Sequence, residues 1–458
     1  MHSVLRLATA LFVLPAAASA AKLDREALAA RLAPQMRNEI LQAVSVAVLT
    51  AEGEVSAHLG TLAPRSQRAP DDRTFYEIGS VTKVFTSLLL ADAVVRGEVT
   101  LDTPLAALLP EDFVFADPLA KAVTLRMLAT HSSGIPRLPA ELDATAFGNP
   151  YARYSDSDLL RSLGAMKLDF PPGAGVGYSN FAAGALATGL ARRAGLSYAE
   201  LLARRITRPL GMHDTMVELS AEQRARFAPA FASAGEPVAH WDFQSLAGAG
   251  GIRSTLADLR RLVAALLHPE ESPLAAAIEL AWAKQPLEKT LGGGGQALGW
   301  MIADDGETRW HDGMTGGFHA AIYVNRRMGM ASILLANRST PIGSTIAEGL
   351  LRVAAGAAER PIPNGDRREV ALTDAELDRC VGSYRLSPQL ALAIERRNRH
   401  LFVTPSGQSA DMLYAASAVA FFSRRVAAEI TFDLPADGGL ATALTLEQGE
   451  RRMRASRE

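Results

Sequence analysis

Apolar residues follow two different periods along this chain, and the period changes at defined points. Val44–Gly60 is rich in apolar and β-branched residues around a Glu-Gly pair, which predicts a hairpin of two strands. From Ser80 to about Leu267, apolar residues three and four apart predict helices joined by loops. Four more strands are predicted between Leu298 and Asn337, and a helix over Ile342–Ala358. We therefore expect an α+β fold, in which helices flank an antiparallel sheet and a large helical insertion separates the sheet's two parts.

A different pattern begins after a short polar segment near the C-terminus. Residues 359–370 hold two prolines and a glycine and are interpreted as a linker. Beyond it, residues 390–394 and 430–434 alternate apolar and polar side chains, and an Asp-Gly turn follows the second run. We predict a small all-β, barrel-like domain over residues 371–458. The larger domain is then residues 21–358.

Residues 1–20 have the organisation of a secretory signal peptide. Arg6 gives a positive start, an apolar run extends over Leu7–Ala17, and Ala18-Ser19-Ala20 forms a small-residue cleavage site. The run is too short for a membrane anchor, and no cysteine follows it for lipid attachment. We therefore expect a protein secreted across the inner membrane into the periplasm, with no transmembrane anchor in the mature chain.

Composition and motifs argue against nucleic-acid binding, an intramolecular disulfide, and a metal or cofactor. The 458 residues carry a formal net charge of −2 with acidic and basic residues well mixed, so the chain lacks the basic stripe expected for nucleic-acid binding. Cys380 is the single cysteine, which rules out an intramolecular disulfide and favours a packing role. The sequence has no H-E-x-x-H and no paired metal-ligand spacing, so we predict neither a metal nor a cofactor.

One hydroxyl and one ammonium group interrupt the apolar helix that follows Gly79. Ser80 and Lys83 stand three residues apart, so their side chains share one face of a helix. A lysine buried there would have a lowered pKa, and its neutral amine could take the serine proton. An N-cap serine beside a surface lysine gives the same spacing, and Ser19 with Lys22 repeats it across the signal cleavage site. Spacing alone favours the N-cap and surface-lysine interpretation.

Two later segments carry polar groups suited to the same chemistry. Tyr178 and Asn180 lie between a Pro/Gly-rich loop and a helix, where a phenol could carry a proton if a nearby cation lowers its pKa. Further on, a predicted strand contains His311, Asp312 and Gly313. Small residues on an edge strand let another backbone approach, and the free N–H groups of such a strand can bind an oxyanion. A tyrosine that covers the core and an ordinary turn between strands are the alternatives.

These three sites, in this order, resemble those of the serine β-lactamase and penicillin-binding protein superfamily. The resemblance extends from about Val44 to Ala357 and is closest to the class C-like branch of D-Ala-D-Ala carboxypeptidases, D-aminopeptidases and esterases. It implies the β-lactamase/transpeptidase-like fold and a serine hydrolase that forms an acyl-enzyme. The substrate it implies is a small molecule or a peptidoglycan-derived peptide: a β-lactam, a D-amino-acid peptide or an ester.

The resemblance also implies a role for each matching residue. The catalytic residues are the nucleophile Ser80, its base partner Lys83 and a second proton carrier, Tyr178. The substrate-binding and oxyanion residues are Asn180, His311, Gly313 and Met314, with the oxyanion hole formed by the backbone N–H groups of Ser80 and Met314. His131, in a T-H-x-S-G loop, is implied to be scaffolding.

Asp312 departs from the pattern of this superfamily. Many members have a threonine at this position, and its hydroxyl helps to hold a substrate carboxylate. An aspartate that faces the cleft would repel that carboxylate, which penicillins and D-Ala-D-Ala peptides both carry. We therefore expect clear ester hydrolysis and weak β-lactam turnover. Because strand neighbours alternate faces, Asp312 pointing away from the cleft is the alternative.

The sequence bears on two other functional classes, a binding protein without catalytic activity and an α/β-hydrolase. A catalytically idle penicillin-binding or cell-wall-binding protein on the same fold is the alternative to the hydrolase. An α/β-hydrolase esterase would need a G-x-S-x-G elbow, and the sequence has none, since G-Y-S-N-F fails at its last position.

Overall fold

The computed structural model describes residues 23–142, 148–340, 342–359, 361–387, 390–406 and 410–458. The signal peptide predicted over residues 1–20 lies outside them. The helices are α1 Arg25–Arg37, α2 Thr82–Val95, α3 Leu125–Ala129, α4 Asp156–Ala165, α5 Asn180–Ala194, α6 Tyr198–Leu202, α7 Ala221–Arg224, α8 Ala247–Gly250, α9 Leu256–Leu267, α10 Ala275–Trp282, α11 Gly343–Ala354 and α12 Asp374–Asp378. No helix within the described ranges is long and apolar enough to cross a membrane.

Strands form one large sheet, two short pairs and a barrel. Those of the larger domain are β1 Ala43–Thr50, β2 Gly53–Gly60, β3 Tyr76–Glu77, β4 Ala230–Phe231, β5 Pro237–Val238, β6 Arg253–Ser254, β7 Gly295–Ala297, β8 Trp300–Ile302, β9 Arg309–Met314, β10 His319–Asn325 and β11 Met330–Ala336. Those of the barrel are β12 Gly382–Ser387, β13 Leu390–Arg397, β14 His400–Pro405, β15 Asp411–Ala415, β16 Ala420–Ser423, β17 Ala428–Asp433, β18 Ala443–Gln448 and β19 Arg451–Arg457.

The large sheet is antiparallel and combines the two ends of the larger domain. Its strand order is β2-β1-β11-β10-β9-β8-β7, so the N-terminal hairpin pairs with the last strand, β11. In this register Val46 lies opposite Leu334, and Ala320 lies opposite Gly313. The predicted α+β fold, with its sheet divided by a helical insertion, is confirmed.

Side chains on the two faces of the sheet enter separate apolar clusters. On β1, Val44, Val46 and Val48 pack toward α1 and α11. Ala43, Ala47 and Leu49 of the same strand pack toward the helical insertion, where α2 is buried along most of its length. Both faces of β1 are therefore covered, which accounts for its nearly unbroken apolar sequence. The strand β9 carries the third predicted motif on this same sheet.

The C-terminal strands β12 to β19 form a closed antiparallel barrel, in which β19 pairs back with β12. Its interior is packed with apolar side chains, including Tyr384, Phe421 and Phe432. Cys380 belongs to this cluster, and burial raises the pKa of its thiol to about 12. The predicted small all-β, barrel-like domain is confirmed, and its exact boundaries stay a prediction.

A second apolar cluster joins the barrel to the larger domain. Ala234, in the turn between β4 and β5, packs with the barrel residues Phe402, Met412, Tyr414 and Phe422. The Asn398 Nδ2 also donates a hydrogen bond of 3.1 Å to the carbonyl oxygen of Ala234. The turn between β4 and β5 is therefore anchored by the barrel.

Candidate active site

Ser80 lies at the end of the helical insertion that faces the sheet. A single 3-10 turn, Gly79–Val81, precedes α2 and carries Ser80 on its second residue. Gly79 has a φ of +49°, a conformation that disfavours a side chain. Because the first N–H groups of a helix have no acceptor within it, the Ser80 N–H is available to a ligand.

Lys83 is buried one turn beyond Ser80 and is surrounded by oxygen atoms. Its Nζ lies 3.0 Å from the Ser80 Oγ, 2.8 Å from the Asn180 Oδ1 and 2.6 Å from the Ala249 carbonyl oxygen. Burial, and then the positive charge of Arg137, lower the pKa of Lys83 well below 10.5. A neutral amine has two N–H groups and one lone pair. Since Asn180 Oδ1 and Ala249 O can only accept, they fix the two N–H groups and leave the lone pair for the Ser80 hydroxyl proton.

Tyr178 completes this side of the cleft. Lys83 Nζ lies 4.8 Å from the centroid of its ring, and the phenol also interacts with Ser80. The sequence hypothesis required a cation to lower the pKa of this phenol. In the structure burial dominates and raises the pKa of Tyr178 above 10.0. Tyr178 is therefore protonated at rest, and can give a proton before it takes one.

The turn that presents Tyr178 is fixed by the T-H-x-S-G loop. The Gly177 N–H donates to the His131 carbonyl oxygen at 2.9 Å, and the His131 Nδ1 accepts from the Ser179 N–H at 3.2 Å. The His131 and Tyr178 rings lie 4.4 Å apart. Burial lowers the pKa of His131 well below 6.5, so the ring is neutral. These contacts fit the scaffolding role that the resemblance implies for His131.

Asn180 is the first residue of α5, and Ser179 is its N-cap, with an Oγ that accepts from the Ala182 N–H at 2.9 Å. This capping arrangement explains the Tyr-x-Asn spacing, because it aims the residues on either side of the cap at one cleft. The resemblance gives Asn180 contact with the substrate amide. The structure places its Oδ1 on Lys83, so Asn180 also orients the amine.

The strand β9 approaches Ser80 from the opposite side of the cleft. A side chain on Gly313 would collide with the carbonyl oxygen of Ile78 and come within 2.5 Å of the Ser80 nitrogen. The Thr315 N–H donates to Phe318 O across the β9–β10 turn, at 3.1 Å. Because N–H groups alternate direction along a strand, the Met314 N–H points away from β10. The Met314 nitrogen lies close to the turn that carries Ser80, since a Cβ on Gly79 would come within 2.8 Å of it.

His311 is buried on β9 beside Tyr178, with ring centroids 6.3 Å apart. Burial, and then Lys83, lower the pKa of His311 to about 4. Its Nδ1 lies 2.6 Å from the Asp312 carbonyl oxygen. Nδ1 therefore carries the proton and Nε2 is an acceptor, which is buried and has no partner among the described residues.

Asp312 points to the other face of β9. Its Oδ2 accepts a hydrogen bond of 2.5 Å from the Ser344 Oγ, in the first turn of α11. His319 Nε2 lies 3.9 Å from the same oxygen. A carboxylate at a helix N-terminus is favoured by the helix dipole. Asp312 is thus bonded to Ser344 and is turned away from Ser80. This is the orientation that the alternation of strand neighbours offered as the alternative.

Three contributors were missed by the sequence interpretation. Glu77 is buried on β3, where its Oε1 accepts from the Trp241 N–H at 2.8 Å. Arg137 is exposed beside the Tyr178 ring. The Ala249 carbonyl oxygen holds Lys83. Of these three, only Glu77 and Arg137 could have been found from the sequence. Each stands within three residues of an identified motif, the Ser80 motif for Glu77 and the T-H-x-S-G loop for Arg137.

No group of three or more acidic, histidine or cysteine side chains in the described ranges is arranged to hold a metal ion.

Comparison with known proteins adds a family to this geometry. The beta-lactamase family model matches residues 28–357. The D-alanyl-D-alanine-carboxypeptidase/endopeptidase AmpH of Escherichia coli (strain K12) is 31% identical over 219 residues, which are 48% of this chain and 55% of AmpH. A beta-lactamase of the same strain is 30% identical over 51% of this chain and 58% of its own length. Penicillin-binding protein 4 of Amycolatopsis lactamdurans is 29% identical over 57% of this chain and 72% of its own length. The chain thus spans little more than half the length of the first two relatives.

Proposed function

Because this chain belongs to the beta-lactamase family, we propose that it is a serine hydrolase whose Ser80 is acylated by an amide or ester substrate. The observation that carries this proposal is the environment of Lys83. Its buried amine has a lowered pKa, two fixed acceptors and the Ser80 hydroxyl as its third neighbour. This is the arrangement that an activated serine nucleophile needs.

In the acylation step, Ser80 Oγ attacks the substrate carbonyl carbon while its proton moves to Lys83 Nζ. The carbonyl oxygen becomes an oxyanion, for which the N–H groups of Ser80 and Met314 are the donors on the two sides of the cleft. Tyr178 then gives its phenolic proton to the leaving amine or alcohol. The Lys83 ammonium, 4.8 Å from the ring centroid, stabilises the phenolate until it returns a proton.

Hydrolysis of the acyl-enzyme uses the same two groups again. A water molecule attacks the acyl carbon and gives a proton to the neutral Lys83 Nζ, while Tyr178 gives its phenolic proton to the Ser80 oxygen as the acyl C–O bond breaks. Lys83 then returns its proton to the Tyr178 phenolate. The neutral Nε2 of His311 is an acceptor on the Tyr178 side, where it can take a hydrogen bond from the phenol or the substrate.

The substrate classes proposed are a β-lactam, a D-amino-acid peptide of peptidoglycan origin, and an ester. The names of the relatives, a carboxypeptidase/endopeptidase, a beta-lactamase and a penicillin-binding protein, support the first two classes as substrates of those proteins. We further propose that residues 1–20 direct export and that the mature protein acts in the periplasm. N-terminal sequencing of protein recovered from the periplasm tests export, with a start after residue 20 as the expected result.

Covalent labelling tests the role of Ser80. The mature protein should react with a fluorophosphonate and with a fluorescent penicillin, and Ser80→Ala should abolish both signals. Ser87→Ala is a matched control, because Ser87 is a buried serine on α2, about two turns beyond Ser80. Labelling that persists in Ser80→Ala contradicts the proposal. Labelling of the wild type without turnover of any ester, D-peptide or β-lactam would instead support an idle binding protein.

A further inference from the structure

Arg137 is hydrogen-bonded through its backbone to the start of α5, beside Tyr178, although no step of the proposed mechanism uses its side chain. Its carbonyl oxygen accepts hydrogen bonds from the N–H groups of Asn180, at 3.0 Å, and Phe181, at 3.3 Å. These are the first two residues of α5. The backbone of Arg137 is therefore fixed relative to Tyr178 and Asn180, and its side chain starts from a defined position at the mouth of the cleft.

The guanidinium of Arg137 lies over the Tyr178 ring and is open to solvent. Its Cζ is 5.3 Å from the ring centroid, within the range of a cation–π contact. Its positive charge lowers the pKa values of Lys83 and His131, which places it within electrostatic reach of the cleft. In the part of the chain that the structure describes, no Asp or Glu oxygen lies within 4.0 Å of it, unlike the arginines on the surrounding surface that form ion pairs.

The other charged groups near Ser80 do not present a permanent positive charge to solvent at the mouth of the cleft. The pKa of His311 is lowered to about 4, so its ring is neutral at pH 7. Lys83 is buried and held by the oxygen atoms of Ser80, Asn180 and Ala249, so it is not open to an anion at the mouth of the cleft. Asp312 is turned to Ser344 on the other face of β9. The guanidinium of Arg137 is a permanent cation that is open to solvent, and it stands on the α5 side, opposite β9.

We propose that Arg137 binds an anionic group of the substrate, a carboxylate placed away from the scissile bond on the α5 side of the cleft. The proposal rests on the function proposed for Ser80 and specifies its substrate class. An arginine suits this role because its planar fork donates two parallel hydrogen bonds to a carboxylate. Contact with the Tyr178 ring holds the guanidinium in place before the substrate arrives, which reduces the ordering that binding requires.

The test compares two esters that differ only in charge. They are the p-nitrophenyl monoester of adipic acid and the corresponding diester in which the free carboxylate is methylated. The wild-type protein should prefer the free acid. In Arg137→Gln the ratio of kcat/KM for the acid to kcat/KM for the methyl ester should fall about 10- to 100-fold, chiefly through KM of the acid. Arg137→Lys should give an intermediate ratio, because lysine keeps the charge and loses the fork.

Two controls distinguish carboxylate binding by Arg137 from a general effect of its charge on the nucleophile. Arg192→Gln removes the same charge from the exposed, opposite end of α5 and should leave the ratio unchanged. The rate of Ser80 labelling by an uncharged fluorophosphonate reports the nucleophile without the carboxylate. If Arg137→Gln lowers kcat/KM for both esters equally, Arg137 acts on the pKa of Lys83 and the inference is wrong. If the wild-type protein is not labelled at all, the function proposed for Ser80 fails instead.

Discussion

Gly313 and Ser80 are in direct backbone contact: a Cβ atom on Gly313 would lie 2.5 Å from the Ser80 nitrogen and 2.8 Å from the Gly79 carbonyl carbon. Distances this short leave no space for any side chain. The contact places β9 against the turn that carries Ser80, and a Cβ on Gly79 would likewise lie 2.8 Å from the Met314 nitrogen. A glycine is needed at position 313 because the proposed oxyanion hole lies between two backbones.

Gly313→Ala should therefore separate the two donors while the rest of β9 stays paired with β10. We expect kcat/KM for p-nitrophenyl butyrate to fall about 10²- to 10³-fold, the usual effect of losing one oxyanion donor. Gly164→Ala is the control, because Gly164 lies within α4 outside the left-handed region of φ, and a Cβ there would be 3.4 Å from its nearest neighbour. A Gly313→Ala variant with wild-type kcat would show that the two N–H groups do not act together.

The pKa of Lys83 should be visible in the pH dependence of acylation. Only the neutral amine can accept the Ser80 proton, so the rate should rise with pH around a midpoint below the ordinary lysine value of 10.5. Lys83→Arg keeps the cation protonated at every accessible pH. Its rate of fluorophosphonate labelling should fall about 10²- to 10⁴-fold.

Lys121→Arg, an exchange at an exposed position, controls for the substitution itself. Circular dichroism and thermal melting test whether the fold tolerates the buried arginine of Lys83→Arg. Lys83→Met is a second replacement, which carries no charge. Acylation that survives in both variants at more than a tenth of the wild-type rate rules out Lys83 as the base.

The parts of this molecule that the sequence could predict depend on local pattern. The hairpin β1–β2, the helix α2 and the barrel strands each carry a periodic signal within a few residues. The spacing of Ser80 and Lys83 is likewise local, since residues three apart share a helix face. Resemblance to a family then supplied the long-range pairing of α2, α5 and β9.

The parts that could not be predicted depend on contacts between distant segments. Ala249 holds Lys83 through its backbone carbonyl, and a carbonyl oxygen leaves no mark in a sequence. The direction of Asp312 follows from the pairing of β9 with β10 and from the position of Ser344, 32 residues further on. A lowered pKa for Tyr178 was a condition of the sequence hypothesis, and burial raises that pKa instead.

Glu77 should make the stability of the protein depend on pH. Burial raises the pKa of its carboxyl from 4.5 to about 7. The folded state then holds a proton that the unfolded state has lost between pH 4.5 and 7. The unfolding free energy should decrease through this interval, by roughly 3 kcal/mol in total, and level off above it.

Glu77→Gln should remove this decrease. Denaturant unfolding at a series of pH values measures it, and the difference between the two curves isolates Glu77, because the histidines titrate in both proteins. Glu288→Gln, at an exposed position, should leave the wild-type curve unchanged. Parallel curves for wild type and Glu77→Gln would mean that the carboxyl titrates as it does in water.

Asp312 offers a direct test of which face of β9 it occupies. Its carboxylate accepts from Ser344 and stands at the start of α11, so Asp312→Asn should lower the unfolding free energy by about 1 kcal/mol. Nitrocefin turnover should change less than about threefold, because a carboxylate turned to α11 makes no contact with the substrate. An increase of tenfold or more in Asp312→Asn would show instead that Asp312 repels the β-lactam carboxylate from within the cleft.

The barrel should support the active site through the turn between β4 and β5. Ala234 is anchored in the barrel cluster, and Phe231, three residues earlier, donates its N–H to Asn337 O at 3.2 Å and to Gly317 O at 3.4 Å. Gly317 follows the Met314 donor by three residues and lies against β4, where a side chain on it would come within 2.9 Å of the Ala230 Cα.

Ala234→Arg places a charge in that apolar cluster and should detach the barrel without unfolding it, since a buried unpaired charge is costly. We expect cleavage by added protease in the linker around residues 361–370 to become faster. The kcat for p-nitrophenyl butyrate should fall about 10- to 100-fold as the Met314 segment loses its support. Val426→Arg, on the exposed surface of the barrel, should change neither measurement. Full activity in an Ala234→Arg protein whose linker is rapidly cleaved would show that the barrel does not position the active site.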